Sequence, residues 1–296
     1  MRKSRIFTGA GIGLTALLAL TAYNSGSPTD PGAGEGDGGD ALWEVATDVQ
    51  LEGSPTFDRM SEAGEVVIGV KADQPGLGYE DPVTGERTGF DVDIARWIAA
   101  SLGFGEDQIQ FETIPSANRE QELINGNIDY YVGTYSMTPA RDEVIDFAGP
   151  YFITGQGLLV AADDDSINGP EDLEGKVTCS VTGSTPLQRI REEYSGEVTE
   201  RQTYSECVEQ LKAGQVDAIT TDEAILAGYV ALEPEELKLT GEIFSEERYG
   251  VGIADGDTAL KDHINSLFTE GGDVWNALFE KHLAPAGVEA TQPAVD

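Results

Sequence analysis

Bases are scarce in this 296-residue chain: 18 Lys and Arg stand against 54 Asp and Glu, a formal charge of −36. Such a chain is repelled by nucleic-acid phosphates and by anionic membrane surfaces, which excludes both as main partners. An anionic ligand would need a local basic cluster working against the global field. Histidine is nearly absent, with only His263 and His282, both in the stretch Asp262 to Leu283. That stretch reads as one helix packing away from any cleft, so no Ser-His-Asp or Cys-His set can be assembled. The only cysteines are Cys179 and Cys207. Long apolar runs are missing as well: past the N-terminus nothing approaches the roughly 18 residues of a membrane span. What is present, 40% hydrophobic and 8% aromatic residues, suffices for the core of one large domain or two ordinary ones.

Met1-Arg2-Lys3-Ser4-Arg5 is a basic start to a 15-residue apolar stretch, Ile6 to Leu20, with small residues following at Thr21 and Ala22. The stretch is short and runs straight into Asn24-Ser25-Gly26-Ser27-Pro28, so residues 1–22 read as an export signal rather than a buried helix. Without them 15 bases face 54 acids, a charge of −39. Leu20-Thr21-Ala22 is also how a bacterial lipoprotein signal ends, but Tyr23 stands where that signal needs Cys. No lipid can be attached there. The protein is expected outside the cell at the outer face of the cell membrane: it is released, or the uncleaved segment holds it, or the sequence departs at position 23 from its natural form. Residues 24–40, NSGSPTDPGAGEGDGGD, have no apolar period and read as a tether of on the order of 20–25 Å r.m.s.. A flexible linker and lead-in is expected over 23–63. In an exported chain the two thiols pair by default, closing a loop of about 28 residues worth roughly 3 kcal/mol. A metal pair or a redox couple is the rival reading, and histidines so far downstream favour neither.

The body alternates strand and helix, the pattern of α/β domains. Glu65–Lys71 reads as a first strand, Asp91–Leu102 as an amphipathic helix stopped at Gly103, and Ile109–Ile114 as a second strand. Two segments share a shape: Leu123-Ile124-Asn125-Gly126-Asn127-Ile128-Asp129 and Leu211-Lys212-Ala213-Gly214-Gln215-Val216-Asp217, offset by 88 residues at Leu, Gly and Asp alike. Helix, Gly, then strand is a common unit, but with the total length it favours two similar lobes. Five residues past each Asp lie Thr134 and Asp222. Ligands of open α/β sheets collect at such strand ends, so a cleft between lobes would draw on both.

Gly89-Phe90-Asp91-Val92-Asp93-Ile94-Ala95-Arg96-Trp97-Ile98-Ala99 resembles the signature of the bacterial extracellular solute-binding proteins of family 3, the polar amino acid receptors of ABC importers. The resemblance runs from about Gly64 to Leu283. It implies a two-lobed periplasmic-binding-protein-like α/β fold of type II, its lobes joined by crossing strands at Gly157–Val160 and Tyr249–Ile253. Lobe one would be 64–158 plus 252–285, lobe two 159–251, with a tail at 286–296. Thr134-Tyr135-Ser136-Met137-Thr138-Pro139-Ala140-Arg141 is similar to the family's stretch for the ligand α-carboxylate: Arg141 offers a planar fork, Thr134 and Ser136 further donors. Gly183-Ser184-Thr185-Pro186 resembles the helix start that meets the same carboxylate, with Thr185 as N-cap. Asp222 matches the family's acid for the α-ammonium group, and could also be a helix N-cap.

Arg119, 15 residues before Thr134, and Lys71, at the end of the first strand, resemble the bases of members that bind glutamate or aspartate. Lys71, Arg119 and Arg141 against Asp222 make a net of +2, complementary to glutamate. Many relatives stack an aromatic ring from the loop after the first strand. Here Ala72-Asp73-Gln74-Pro75-Gly76-Leu77-Gly78 has none, as in the glutamate-binding branch of high-G+C Gram-positive bacteria, and its Asp73 has no assigned role. The resemblance implies a monomeric receptor for L-glutamate, or else aspartate or glutamine, that delivers its ligand to an ABC permease, with no catalytic residue, metal or cofactor. An exported dehydratase-like enzyme, or a sensing module for a separate signalling receptor, would use the same fold.

Overall fold

The computed structural model describes residues 42–296; the export signal, Tyr23 and the tether lie outside the described residues. Part of the lead-in is a helix, α1 (Pro55–Ala63). Ser54 starts it by accepting the N–H of Phe57 at 3.0 Å, and Pro55 sits in the first turn, where a missing N–H is harmless. Asp257 ties that end down, its Oδ2 accepting from Ser54 Oγ at 2.8 Å and from Thr56 N at 3.1 Å.

β1 (Val66–Val70) follows, then three short strands, β2 (Asp73–Gln74), β3 (Gly78–Glu80) and β4 (Arg87–Thr88), paired with one another as a small antiparallel sheet. α2 (Phe90–Ser101) begins and ends one residue earlier than its apolar period suggests, with Ile94, Trp97 and Ile98 turned inward. Next come β5 (Ile109–Thr113), α3 (Arg119–Ile124), β6 (Tyr130–Tyr131), α4 (Pro139–Asp142) and β7 (Asp146–Thr154). The second run is β8 (Gln156–Ala161), β9 (Val177–Val181), α5 (Thr185–Glu193), β10 (Glu197–Arg201) and α6 (Tyr204–Lys212). It continues through β11 (Ala218–Asp222), α7 (Glu223–Leu232), β12 (Leu237–Thr240) and β13 (Glu247–Ile253). The helix expected over Asp262–Leu283 is in fact two, α8 (Thr258–Glu270) and α9 (Gly272–His282), parted at Gly271.

Two five-stranded sheets result, ordered β5-β1-β6-β13-β7 and β10-β9-β11-β8-β12. In each, the first three strands are parallel and the fourth runs against them. The sequence repeat is the local cause of this likeness. Gly126 and Gly214 take left-handed conformations, φ 68° and 65°, that end α3 and α6. Asp129 then donates its N–H to Val67 O and accepts Val67 N–H at Oδ2, both at 2.7 Å. Asp217 repeats the exchange with Val177, at 2.8 and 2.7 Å. Each aspartate therefore sets the strand that follows it, β6 or β11, in register beside β1 or β9.

Only Gly155 separates β7 from β8, so the chain leaves the first sheet for the second there, and it returns between Phe244 and Glu247. The two passages are tied together, Phe244 N donating to Gln156 O and Gln156 N to Ser245 Oγ, each at 2.9 Å. The stretches expected to cross, Gly157–Val160 and Tyr249–Ile253, lie just beyond, paired within the sheets. Cys179 on β9 and Cys207 on α6 are bridged, with Cα atoms 5.6 Å apart. A metal held by two free thiolates is thereby set aside. The largest core cluster packs Phe90, Tyr151, Phe152, Tyr249 and Trp275 around the first sheet, each ring fully buried and each worth about 2–3 kcal/mol in transfer terms.

Candidate functional site

The ends of β6 and β11 face the same space, and a narrow pocket of about 10 Å³ lies there. Its lining comes from both sheets' surroundings: Ser116, Arg119, Thr134, Ser136 and Arg141 from the first, Ser184, Thr185, Pro186, Tyr204, Asp222 and Ile225 from the second.

Thr134 is held in a left-handed conformation, φ 46°, which a β-branched residue adopts only under constraint. The constraint is visible. Thr134 N donates to Asp91 Oδ2 at 2.9 Å and its hydroxyl to Gln74 Oε1 at 3.2 Å. Asp91, at the start of α2, is fixed in turn by Tyr151 OH at 2.8 Å, and burial pushes its carboxyl up to about 6. Asp91 of the Gly89–Ala99 motif thus serves to shape a strand end.

Two guanidinium groups flank the ring of Tyr135, that of Arg119 at 4.1 Å from its centroid and that of Arg141 at 4.9 Å. Arg141 donates Nη1 to Ser136 O at 2.6 Å and Nε to Glu120 Oε1 at 3.2 Å; burial and the neighbouring Arg119 lower its pKa. Arg119 is 2% exposed and donates only to carbonyls, to Ser116 O at 3.0 Å, Gly183 O at 3.3 Å and Thr134 O at 3.5 Å. It forms no ion pair among the described residues. A buried guanidinium with no carboxylate is costly unless one arrives.

On the second-sheet side, α5 is capped by Ser184, whose Oγ accepts Leu187 N at 3.2 Å, so the N-cap is one residue before the Thr185 expected. Thr185 is the first helical residue. Its hydroxyl donates to Glu247 Oε2 at 3.0 Å, which leaves it an acceptor toward the pocket, with Ser136 Oγ at 3.3 Å. Glu247 is itself met by Arg189 Nη2 at 3.1 Å.

Asp222 begins α7 without a side-chain capping bond, so the bland N-cap role is not taken up. Tyr249 OH donates to its Oδ2 at 2.6 Å, while Oδ1 is buried with no partner. Burial, then the Glu247 carboxylate, push its pKa up to about 7. An unpartnered carboxylate oxygen in such a place is an acceptor waiting for a donor.

Six of the seven expected ligand residues line this one pocket; Lys71 does not. Its Nζ donates to Ser116 Oγ at 2.8 Å and Ile114 O at 3.2 Å, so Ser116 stands between it and the pocket. Burial first, then Arg119, hold its pKa down to about 7. The charge count of +2 also changes. Glu120 pairs with Arg141 and Glu247 with Arg189, leaving Lys71 and Arg119 as the buried cations without an ion pair, against Asp222. Ser116, Ser184, Tyr204 and Glu247 were missed. Ser184 stood inside the Gly183–Pro186 motif and Ser116 lies three residues before Arg119, whereas Glu247 lies in a polar run, Ser245-Glu246-Glu247-Arg248, that gives no sign of burial. Neither histidine is near: His263 meets Ser101 at 2.9 Å and His282 meets Asp93 at 2.6 Å.

Residues 66–283 match the model of the bacterial extracellular solute-binding proteins, family 3. The glutamate-binding protein GluB of Corynebacterium efficiens is 44% identical over 216 residues, 69% of this chain and 73% of that protein. The ABC transporter glutamine-binding protein GlnH of Bacillus subtilis is 37% identical over 264 residues, 88% and 90% of the two chains. Among solved structures, an ancestral arginine-binding protein bound to arginine superposes with a TM-score of 0.67 at 31% identity, covering 74% of this chain and 98% of the other.

Proposed function

We propose that this chain, which belongs to the bacterial extracellular solute-binding proteins of family 3, is the amino-acid receptor of an ABC importer and that its ligand is L-glutamate. It is a binding receptor of the type II periplasmic-binding-protein fold, not an enzyme. The observation that carries the ligand reading is electrostatic. One pocket holds Arg119, a buried cation without an ion pair among the described residues, and Asp222, whose Oδ1 is buried without a partner. An α-amino acid brings an ammonium for Asp222 and Thr185 and a carboxylate for the guanidinium side. The second carboxylate of glutamate answers the surplus charge of Arg119 and Lys71, which glutamine does not. The relatives divide on this point, since one is named for glutamate and another for glutamine.

The mechanism is a population shift. The first-sheet and second-sheet sides act as two lobes that meet fully only when closed, and a ligand that touches both favours that state by its differential affinity. The closed face is then what a permease reads, and the protein works as a monomer at the outer face of the membrane, Tyr23 leaving it without a lipid. No helix among the described residues is long and apolar enough to cross a membrane.

The test is calorimetric titration of the purified, ligand-stripped chain with glutamate, aspartate, glutamine, arginine and lysine. Glutamate should bind tightest and the cationic amino acids not at all. Arg141→Ala should abolish binding of every amino acid; retained affinity in that variant would refute the carboxylate assignment.

A further inference from the structure

Asp73 sits on β2, beside the first sheet, yet its partners belong to the other side of the cleft. Its Oδ2 accepts from Tyr204 N at 2.8 Å and from Ser205 N at 3.2 Å, at the start of α6. Tyr229, on α7, donates its hydroxyl to the Asp73 main-chain carbonyl and lies 3.4 Å from Oδ2.

The first N–H groups of a helix have no partner within it, so each must be accounted for. At α6 the account is complete only across the cleft. Thr203 Oγ1 takes Glu206 N at 3.3 Å, and the Glu206 carboxylate returns to Gln202 N at 2.9 Å and Thr203 N at 3.2 Å. The two remaining donors, Tyr204 and Ser205, are taken by Asp73. A carboxylate at a helix start is favoured by the helix dipole as well as by the bonds. The close approach is built in at Gly228 of α7, where a Cβ would lie 2.2 Å from Pro75 O.

Asp73, Gly228 and Tyr229 do not line the ligand pocket, but Tyr204 does, and Gln74 accepts from the Thr134 hydroxyl. We propose that Asp73 is a closure latch: a positioning residue that stabilises the closed form by capping α6 from the opposite side, and so sets affinity without reading the ligand. This rests on the reading of the pocket as an amino-acid site. Asp73 also fills the loop in which an aromatic ring was looked for, so this loop secures closure through a bond between the sides.

The test compares wild type with Asp73→Ala, Asp73→Asn and Tyr229→Phe. Loss of two charge-assisted bonds should weaken glutamate about tenfold in Asp73→Ala, with glutamine weakened by the same factor. Asp73→Asn keeps an acceptor oxygen and should fall between, and Tyr229→Phe should lose a few-fold. Unchanged affinity in Asp73→Ala, or a changed glutamate-to-glutamine ratio, overturns the latch. Amide hydrogen exchange at Tyr204 and Ser205 separates this from failure of the pocket reading. Slow exchange in wild type and fast exchange in Asp73→Ala supports the latch even if no amino acid binds. Equal exchange in both overturns it. If the alanine variant does not fold, Asp73→Asn and Tyr229→Phe carry the same comparison.

Discussion

Replacing Asp222 by Asn should move binding and stability in opposite directions. Asn keeps the shape and can still accept the Tyr249 hydroxyl, which now stands 2.6 Å from Oδ2. It cannot balance an ammonium. Leaving that charge buried and unpaired costs about 3–5 kcal/mol, so glutamate affinity should fall by about two to nearly four orders of magnitude. The unliganded protein should gain. Asp222 has its pKa raised from 3.8 to about 7 by burial and by Glu247, so the ionised form carries a penalty of about 4 kcal/mol in the closed state. The sign follows from proton counting. Below pH 4 both folded and unfolded chains are protonated and no penalty exists. Between about 4 and 7 the folded chain keeps a proton that the unfolded chain loses, so the penalty grows with pH, and above 7 it is constant. Opening the cleft lets water reach the carboxylate, which makes 4 kcal/mol a ceiling. Thermal denaturation without ligand should therefore show Asp222→Asn level with wild type at pH 4 and several degrees above it at pH 8. A variant less stable than wild type at pH 8, or one that binds glutamate within a few-fold, would refute the reasoning.

Arg119→Gln should weaken glutamate by at least tenfold more than glutamine, because only glutamate loses a charged partner; equal losses in a titration would remove Arg119 from the side-chain subsite. Lys71 has its pKa held down to about 7 by burial and by Arg119, so its penalty is full below pH 7 and is relieved as pH rises toward 10.5. Lys71→Met should then melt above wild type at pH 6 by a margin that shrinks by pH 10, while glutamate affinity drops; a margin that grows with pH contradicts the assignment. Reduction of Cys179–Cys207, which spans 28 residues, should destabilise the chain by about 3 kcal/mol with little change in affinity, and a melting temperature unmoved by reductant would show the bridge to be idle.

What could be read from the chain alone was what depends on neighbours in sequence. The two Leu-to-Asp repeats were legible because Leu, a left-handed Gly and Asp fall within seven residues, although the aspartates grip Val67 and Val177, 62 and 40 residues before them. The pocket residues Thr134, Ser136 and Arg141 were legible because one motif carries all three. Contacts between distant segments were not. Nothing near Asp73 announces Tyr204, 131 residues away, and nothing in Ser245–Arg248 announces that Glu247 is buried against Thr185. α1 does carry a local signal, Ser54 as N-cap followed by Pro55 in the first turn. Lys71 was placed in the site by its position after β1. That position brings it close, yet Ser116 intervenes, because Lys71 Nζ finds nearer partners in Ser116 Oγ and Ile114 O.

With Asp222 as the proposed ammonium site and Asp73 as the proposed latch, the two work against each other in the unliganded protein. Closing without ligand buries the Asp222 carboxylate and the Arg119 guanidinium without partners, a penalty of several kcal/mol by the shift at Asp222 alone. Closing also forms the Asp73 bonds to α6, which at the tenfold loss expected of Asp73→Ala are worth about 1.4 kcal/mol together. If the latch outweighed the penalty, the protein would close empty and bind slowly or not at all. If the latch were missing, the ligand alone would have to hold the lobes together. A two-state balance of 1:99 against closure corresponds to about 2.7 kcal/mol, and inverting it takes about twice that in differential affinity. In the proposed reading, an ammonium on Asp222 and a carboxylate on Arg119 supply that difference by cancelling the penalty, after which the latch holds the closed state.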